Sequence, residues 1–94
     1  MLVDVQRKTC TAGEPTEFTF KTTSVSFVVK NFTTAPVLVC LAAWDDSNAV
    51  MVAAQTAENI VSNPDPAAGM ARGATATVIV QAEAAGIVEV IRDD

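Results

Sequence analysis

Histidine and tyrosine are absent from this chain. Without histidine there is no Ser-His or Cys-His nucleophile and no imidazole metal ligand, which removes the commonest hydrolase and zinc chemistries. Positive charge is scarce, with six Lys and Arg against eleven Asp and Glu and a net charge of −5. An acidic surface repels phosphate backbones and anionic lipid, so neither nucleic acid nor membrane is expected as a partner. No long uncharged apolar run is present, so no transmembrane helix is expected. The stretch from Met1 to Lys8 has no basic segment followed by an apolar one, so it does not read as a secretory signal. Synthesis and folding in a reducing cytoplasm is the expectation.

Cysteine occurs twice, at Cys10 and Cys40, without CxxC spacing, so no zinc ribbon or dithiol motif is written here. Cys40 lies in an apolar run and reads as a small buried hydrophobe, while Cys10 sits among polar residues. Two free thiols are expected; a Cys10–Cys40 disulfide is the alternative. Gly69 and Gly73 lack the spacing of a phosphate loop. Asp45, Asp46 and Asn48 supply oxygens but not the glycine and closing glutamate of a calcium loop, so they read as a solvated turn. Among the acids, only Glu89, between Val88 and Val90, has an apolar context that could raise its pKa, and strand alternation already explains it as an outward residue. No enzymatic activity, catalytic residue, metal or cofactor is expected.

What the sequence has in excess is β-branched residues: 14 Val, 4 Ile and 11 Thr against 3 Leu. Such side chains are stiff at χ1 and suit a pleated surface. The 16 alanines pull toward helix. Alternation places strands at 2–7, 17–21, 24–30, 37–43, 74–82 and 87–92, with Phe18 and Phe20 on one face and Val25, Phe27 and Val29 inward. The 37–43 segment is apolar on both faces, as a central strand is. Residues 9–15, 31–36 and 45–48 read as turns, and Glu83 to Gly86 as a hairpin connection. The stretch 48–62 reads as two short strands, 49–53 and 58–61; a short helix within 48–62 is the alternative. Residues 62–73, with Pro64, Asp65 and Pro66, form the longest loop signal. At 94 residues this is one all-β domain, a small β-sandwich of jelly-roll or Ig-like type with about six to eight short strands.

Three residues are candidates for a contact surface. Trp44 closes the apolar strand, and Met70 and Arg72 lie in the long loop and belong to types enriched in interface cores. An alternative use of Trp44 is stacking on a sugar in a small ligand- or carbohydrate-binding module.

Several segments, in order, resemble the small all-β structural proteins of tailed phages and prophages. Phe18 and Phe20 are followed by Phe27-Val28-Val29-Lys30-Asn31-Phe32, similar to a hydrophobic-Lys-Asn-aromatic segment in that family. An apolar strand, Val37 to Leu41, and an acidic turn at Asp45-Asp46 come next. Thr77-Val78-Ile79-Val80 with Gly86-Ile87-Val88-Glu89-Val90 looks like the family's closing hairpin. The resemblance covers residues 17 to 91 and departs in the alanine-rich middle and the Pro-Asp-Pro loop. It implies a virion or prophage-particle protein, acting by protein–protein contact as a homo-oligomer and with other particle subunits. It carries over no catalytic residues.

Overall fold

A computed structural model describes residues 4–62 and 74–93. Among the described residues are eight strands: β1 (Asp4–Cys10), β2 (Pro15–Ser24), β3 (Ser26–Asn31), β4 (Val37–Leu41), β5 (Val50–Val52), β6 (Ala57–Val61), β7 (Thr75–Ala82) and β8 (Gly86–Asp93). The stretch 48–62 is two strands, preceded by a 3-10 turn at Asp46–Asn48. The alanines there do not make a helix because Val50, Val52 and Ile60 find sheet partners on β4 and β3.

The strands form two antiparallel sheets, ordered β1-β8-β3-β6 and β2-β7-β4-β5. Strand one therefore lies beside eight, two beside seven, three beside six and four beside five. This is one long hairpin rolled into two layers, the jelly-roll arrangement and not the Ig-like one. The register shows the roll directly. Asp4 opposite Arg92 runs to Cys10 opposite Gly86, and the same alignment resumes in the other sheet with Pro15 opposite Gln81.

Only β4 and β5 pair with their neighbour in the chain. The Glu83–Gly86 connection is consequently not a hairpin. It carries the chain from one sheet to the other, since β7 bonds to β2 and β4 while β8 bonds to β1 and β3. Three further expectations are corrected. Thr9 and Cys10 continue β1, and Cys10 is fully buried between the sheets. Pro15 opens β2 instead of closing a turn, a place on an edge strand where its missing N–H costs no ladder bond. Val25 turns outward at the bend between β2 and β3, and Ser24 takes the buried position.

The core joins Phe18 and Phe20 of β2, Phe27 and Val29 of β3, Val37 and Val39 of β4, Val78 and Val80 of β7 and Val88 and Val90 of β8. Strand β4 lies between β7 and β5, in keeping with its two apolar faces. Both cysteines are free. They lie on opposite sides of the second sheet: Cys10 is in the core, whereas Cys40 faces outward beneath the 42–49 loop, its Sγ against the Asp45 backbone.

The corner after β3 is polar but buried. Asn31 Oδ1 accepts from Thr33 N at 2.9 Å and from Thr33 Oγ1 at 2.7 Å. Asn31 Nδ2 donates toward the carbonyls of Ala35, Val52 and Ala53 at 2.9, 3.1 and 3.3 Å, which ties one sheet to the edge strand of the other. Gln55 sits at φ +60°, and its Nε2 donates to the Phe32 and Thr33 carbonyls, both at 2.9 Å, which offsets the cost of that conformation.

Gly86 packs on this corner. A Cβ there would stand 2.9 Å from Thr33 Cγ2. Thr33 cannot rotate away, because its hydroxyl also contacts the Ala35 carbonyl at 2.8 Å. Gly86→Ala is expected to lower stability by about 1–3 kcal/mol. Adding Thr33→Ser removes the offending methyl and keeps the hydroxyl, so urea denaturation of the double variant should recover part of the loss.

Candidate functional site

Strand parity divides the first sheet into an inner and an outer set. Val88 and Val90 point inward with Phe27 and Val29, which leaves Ile87, Glu89, Ile91 and Asp93 of β8 on the exterior. Their neighbours across the strands follow from the register. One row reads Val5, Ile91, Val28, Asn59, and the next reads Arg7, Glu89, Lys30, Ala57. Beyond the charged row come Thr9 and Ile87, with Phe32 held beside them by its N–H on the Ile87 carbonyl at 3.1 Å. An ordinary exterior sheet face alternates to polar. This one carries apolar side chains on both sides of the Arg7–Glu89–Lys30 row, and Val5, Phe32 and Ile87 are 52%, 48% and 43% exposed.

The charged row is a clamp. Arg7 donates Nε and Nη2 to Glu89 Oε2 at 2.9 and 2.6 Å, and Lys30 Nζ lies 3.7 Å from Oε1. The Glu89 side chain is only 8% exposed, whereas those of Arg7 and Lys30 are 64% and 41% exposed. This row thus hides its acid and shows its cations. Arg7, Phe32 and Ile87 also line a shallow hollow.

Glu89 does not have the raised pKa its valine neighbours suggested. The hydrogen bond from Arg7 holds its carboxyl below the ordinary value of 4.5; burial opposes this, and the charges of Arg7 and Lys30 add to it. A carboxyl depressed in the folded state stabilises above its unfolded pKa, and that contribution fades as pH falls through the folded pKa. Arg7→Ala leaves a buried carboxylate with Lys30 alone, and is expected to cost about 1–2 kcal/mol at pH 7. The gap between variant and native urea midpoints should narrow below pH 4.5, where Glu89 is protonated in the unfolded chain. A gap that stays constant to pH 2 would exclude the clamp as its source.

Of the contact residues expected from sequence, Met70 and Arg72 lie outside the described residues. Trp44 is half-buried and outside the core cluster, with its Nε1 donating to Asp46 Oδ1 at 2.7 Å. Among the described residues the paired rings are Phe20 and Phe27, inside the core, so no aromatic platform forms around Trp44. Asp45 serves the turn, as expected: Oδ1 accepts from Ser47 N and Oγ, and Oδ2 from Asn48 Nδ2. Among the described residues no cluster of three or more His, Cys, Asp or Glu could hold a metal ion, and no helix is long and apolar enough to cross a membrane.

Sequence reading missed the outer face. The signal was there in Ile87-Val88-Glu89-Val90-Ile91, where Ile87 and Ile91 share the parity of Glu89. The contributions of Val5, Val28 and Phe32 depend on strand order, which parity does not reveal.

No protein-family model, curated protein or solved structure matches this chain.

Proposed function

We propose that this chain is a non-enzymatic structural subunit of a phage or prophage particle, working by protein–protein contact and self-association. The observation that carries the contact role is the banded outer face of the β1-β8-β3-β6 sheet. Apolar side chains left in water on a small domain mark a surface that another protein covers. The buried Glu89 supports this reading, because a clamp that neutralises the one acid in the charged row removes the group costliest to desolvate there. The jelly roll itself is shared by capsid and lectin domains, so topology does not choose between a structural and a sugar-binding role. The particle context rests on the family resemblance across residues 17 to 91.

Two observations test it. Terminase, portal or capsid genes are expected beside the gene for this chain. Particles assembled from the structural proteins encoded there should retain the chain through sedimentation, and the exterior variant Val28→Glu with Ile91→Lys should be lost from them. Native chain that never sediments with particles overturns the proposal.

A further inference from the structure

The sandwich has two lateral sides, each built from one edge strand of each sheet: β1 with β2, and β5 with β6. The first is defended. The bond from Ala42 N to the Thr77 carbonyl commits the odd residues of β7 to β4. Alternation then commits the even residues of β2 to β7, so the Glu17 and Thr19 carbonyls point to the open edge. Those two carbonyls are occupied: Lys8 Nζ donates to Glu17 O and Gln6 Nε2 to Thr19 O, each at 2.6 Å. Strand β2 also opens on Pro15 and shifts register between Thr19 and Ser24, and β1 carries Asp4, Arg7 and Lys8. Charge, proline and irregularity are the devices that keep an edge from pairing with another chain.

Among the described residues the other side lacks them. Bonds from Asn31 N to the Thr56 carbonyl and from Ser62 N to the Val25 carbonyl bracket β6 and commit its even positions to β3. The N–H and C=O of Ala57, Asn59 and Val61 therefore point outward, and all three residues are exposed. Strand β6 has one charge, Glu58, no proline and no register shift. Beside it, β5 has no charge, and its Val50 and Met51 are 40% and 62% exposed.

We propose that β6 pairs antiparallel with β6 of a second copy, about a two-fold axis at Asn59. The reading deepens the self-association proposed above, and rests on that proposal only for its particle setting. Self-pairing is favoured because the edge is complementary to itself under a two-fold axis. With Asn59 opposite Asn59, Ala57 meets Val61 and every outward N–H and C=O of the strand finds a partner. Glu58 then lies opposite Ile60, so the two carboxylates are staggered. Of the two nearest alternative registers, one sets Glu58 against Glu58 and the other Ile60 against Ile60, and each loses one bonded pair. In the favoured register the two first sheets become one sheet of eight strands. The row Val5, Ile91, Val28, Asn59 then runs on into its copy, with Val50, Met51 and Val61 flanking the seam.

The test is the mass of the full chain by light scattering after size exclusion, across micromolar to millimolar concentrations. Twice the chain mass of 9.8 kDa is expected at the upper end. Asn59→Pro deletes an N–H that no strand among the described residues uses, and Val61→Lys places a charge at the seam. Each should raise the dimer dissociation constant on the order of 100-fold. Lys21→Glu, on β2 of the defended side and away from the outer face, should leave it unchanged. Amide exchange of the native chain gives a readout that no variant can spoil: the N–H groups of Ala57, Asn59 and Val61 should be protected at high concentration and exchange freely on dilution. A monomer mass throughout, or free exchange at every concentration, overturns the pairing. So does a dimer that survives both seam variants. A chain that dimerises through β6 but is absent from particles overturns the particle role alone. A chain retained in particles with freely exchanging β6 amides overturns the edge pairing alone.

Discussion

Asn31→Asp is expected to lower the unfolding free energy at pH 7 by about 3–5 kcal/mol, the cost of an uncompensated buried charge. The residue is 1% exposed, and the change is nearly isosteric. What it removes is the amide that donates toward the Ala35, Val52 and Ala53 carbonyls, and what it adds is an anion facing those carbonyl oxygens. Thr33 would still donate to the remaining oxygen. Folding then raises the pKa of the new carboxyl above its unfolded value, so the protonated form is the one the fold accepts. The loss should accordingly shrink as pH falls through that raised pKa, the opposite of the acid response conferred by Glu89. Asn31→Ala, which buries no charge, should lose less and show no such recovery. Urea denaturation followed by far-UV circular dichroism between pH 4 and 8 measures all three chains. A loss in Asn31→Asp that does not change with pH would mean that the side chain is hydrated and that the corner does not hold the sheets together.

Phe27→Ala is the second large effect, about 3–5 kcal/mol. Phe27 is fully buried on β3, a strand flanked by β8 and β6, and its ring lies 5.7 Å from that of Phe20 on the opposite sheet. Truncation removes packing from both layers at once, and the valines around it are too short and too stiff to fill the space. Against a total stability of about 5–15 kcal/mol for a domain of ordinary stability, the variant would be marginal at 37 °C. Phe27→Leu should cost less, because it leaves a smaller void. In a double-mutant cycle, Phe20 and Phe27 should show a coupling of about 0.5–1.5 kcal/mol. Additive losses would show that the two rings fill space independently and do not staple the layers.

Both residues bear on the proposed contacts. Phe27 and Asn31 hold β3, and β3 carries Val28 and Lys30 on the outer face and bonds to β6. A variant that loosens β3 is expected to weaken the outer face and the β6 edge together, whereas Val61→Lys should affect the edge alone.

Period-two alternation of valine, isoleucine and phenylalanine was enough by itself to establish an all-β chain, most strand positions and the central place of the 37–43 segment, whose strand ends at Leu41 because Ala42 takes φ +71°. That information is local: parity states which way a side chain points relative to its own backbone. It does not state which strand lies alongside, because backbone hydrogen bonds are alike for every sequence. The Glu83–Gly86 connection shows the consequence. Its residues suit a tight hairpin, but the chain crosses between sheets there because β1 and β3 occupy both sides of β8. Cys10 and Asn31 look like turn residues for the same reason. Their neighbours in sequence are polar, and only the rolling of β1–β2 against β7–β8 encloses them. The outer face was half legible. Ile87, Glu89 and Ile91 share a parity that can be read along the strand, but the Arg7–Glu89–Lys30 clamp and the rows of Val5, Val28 and Phe32 join residues as far apart as β1 and β8. Their neighbourhood is set by strand order, and strand order by how two apolar faces most fully exclude water, a property of the whole chain and of no single segment.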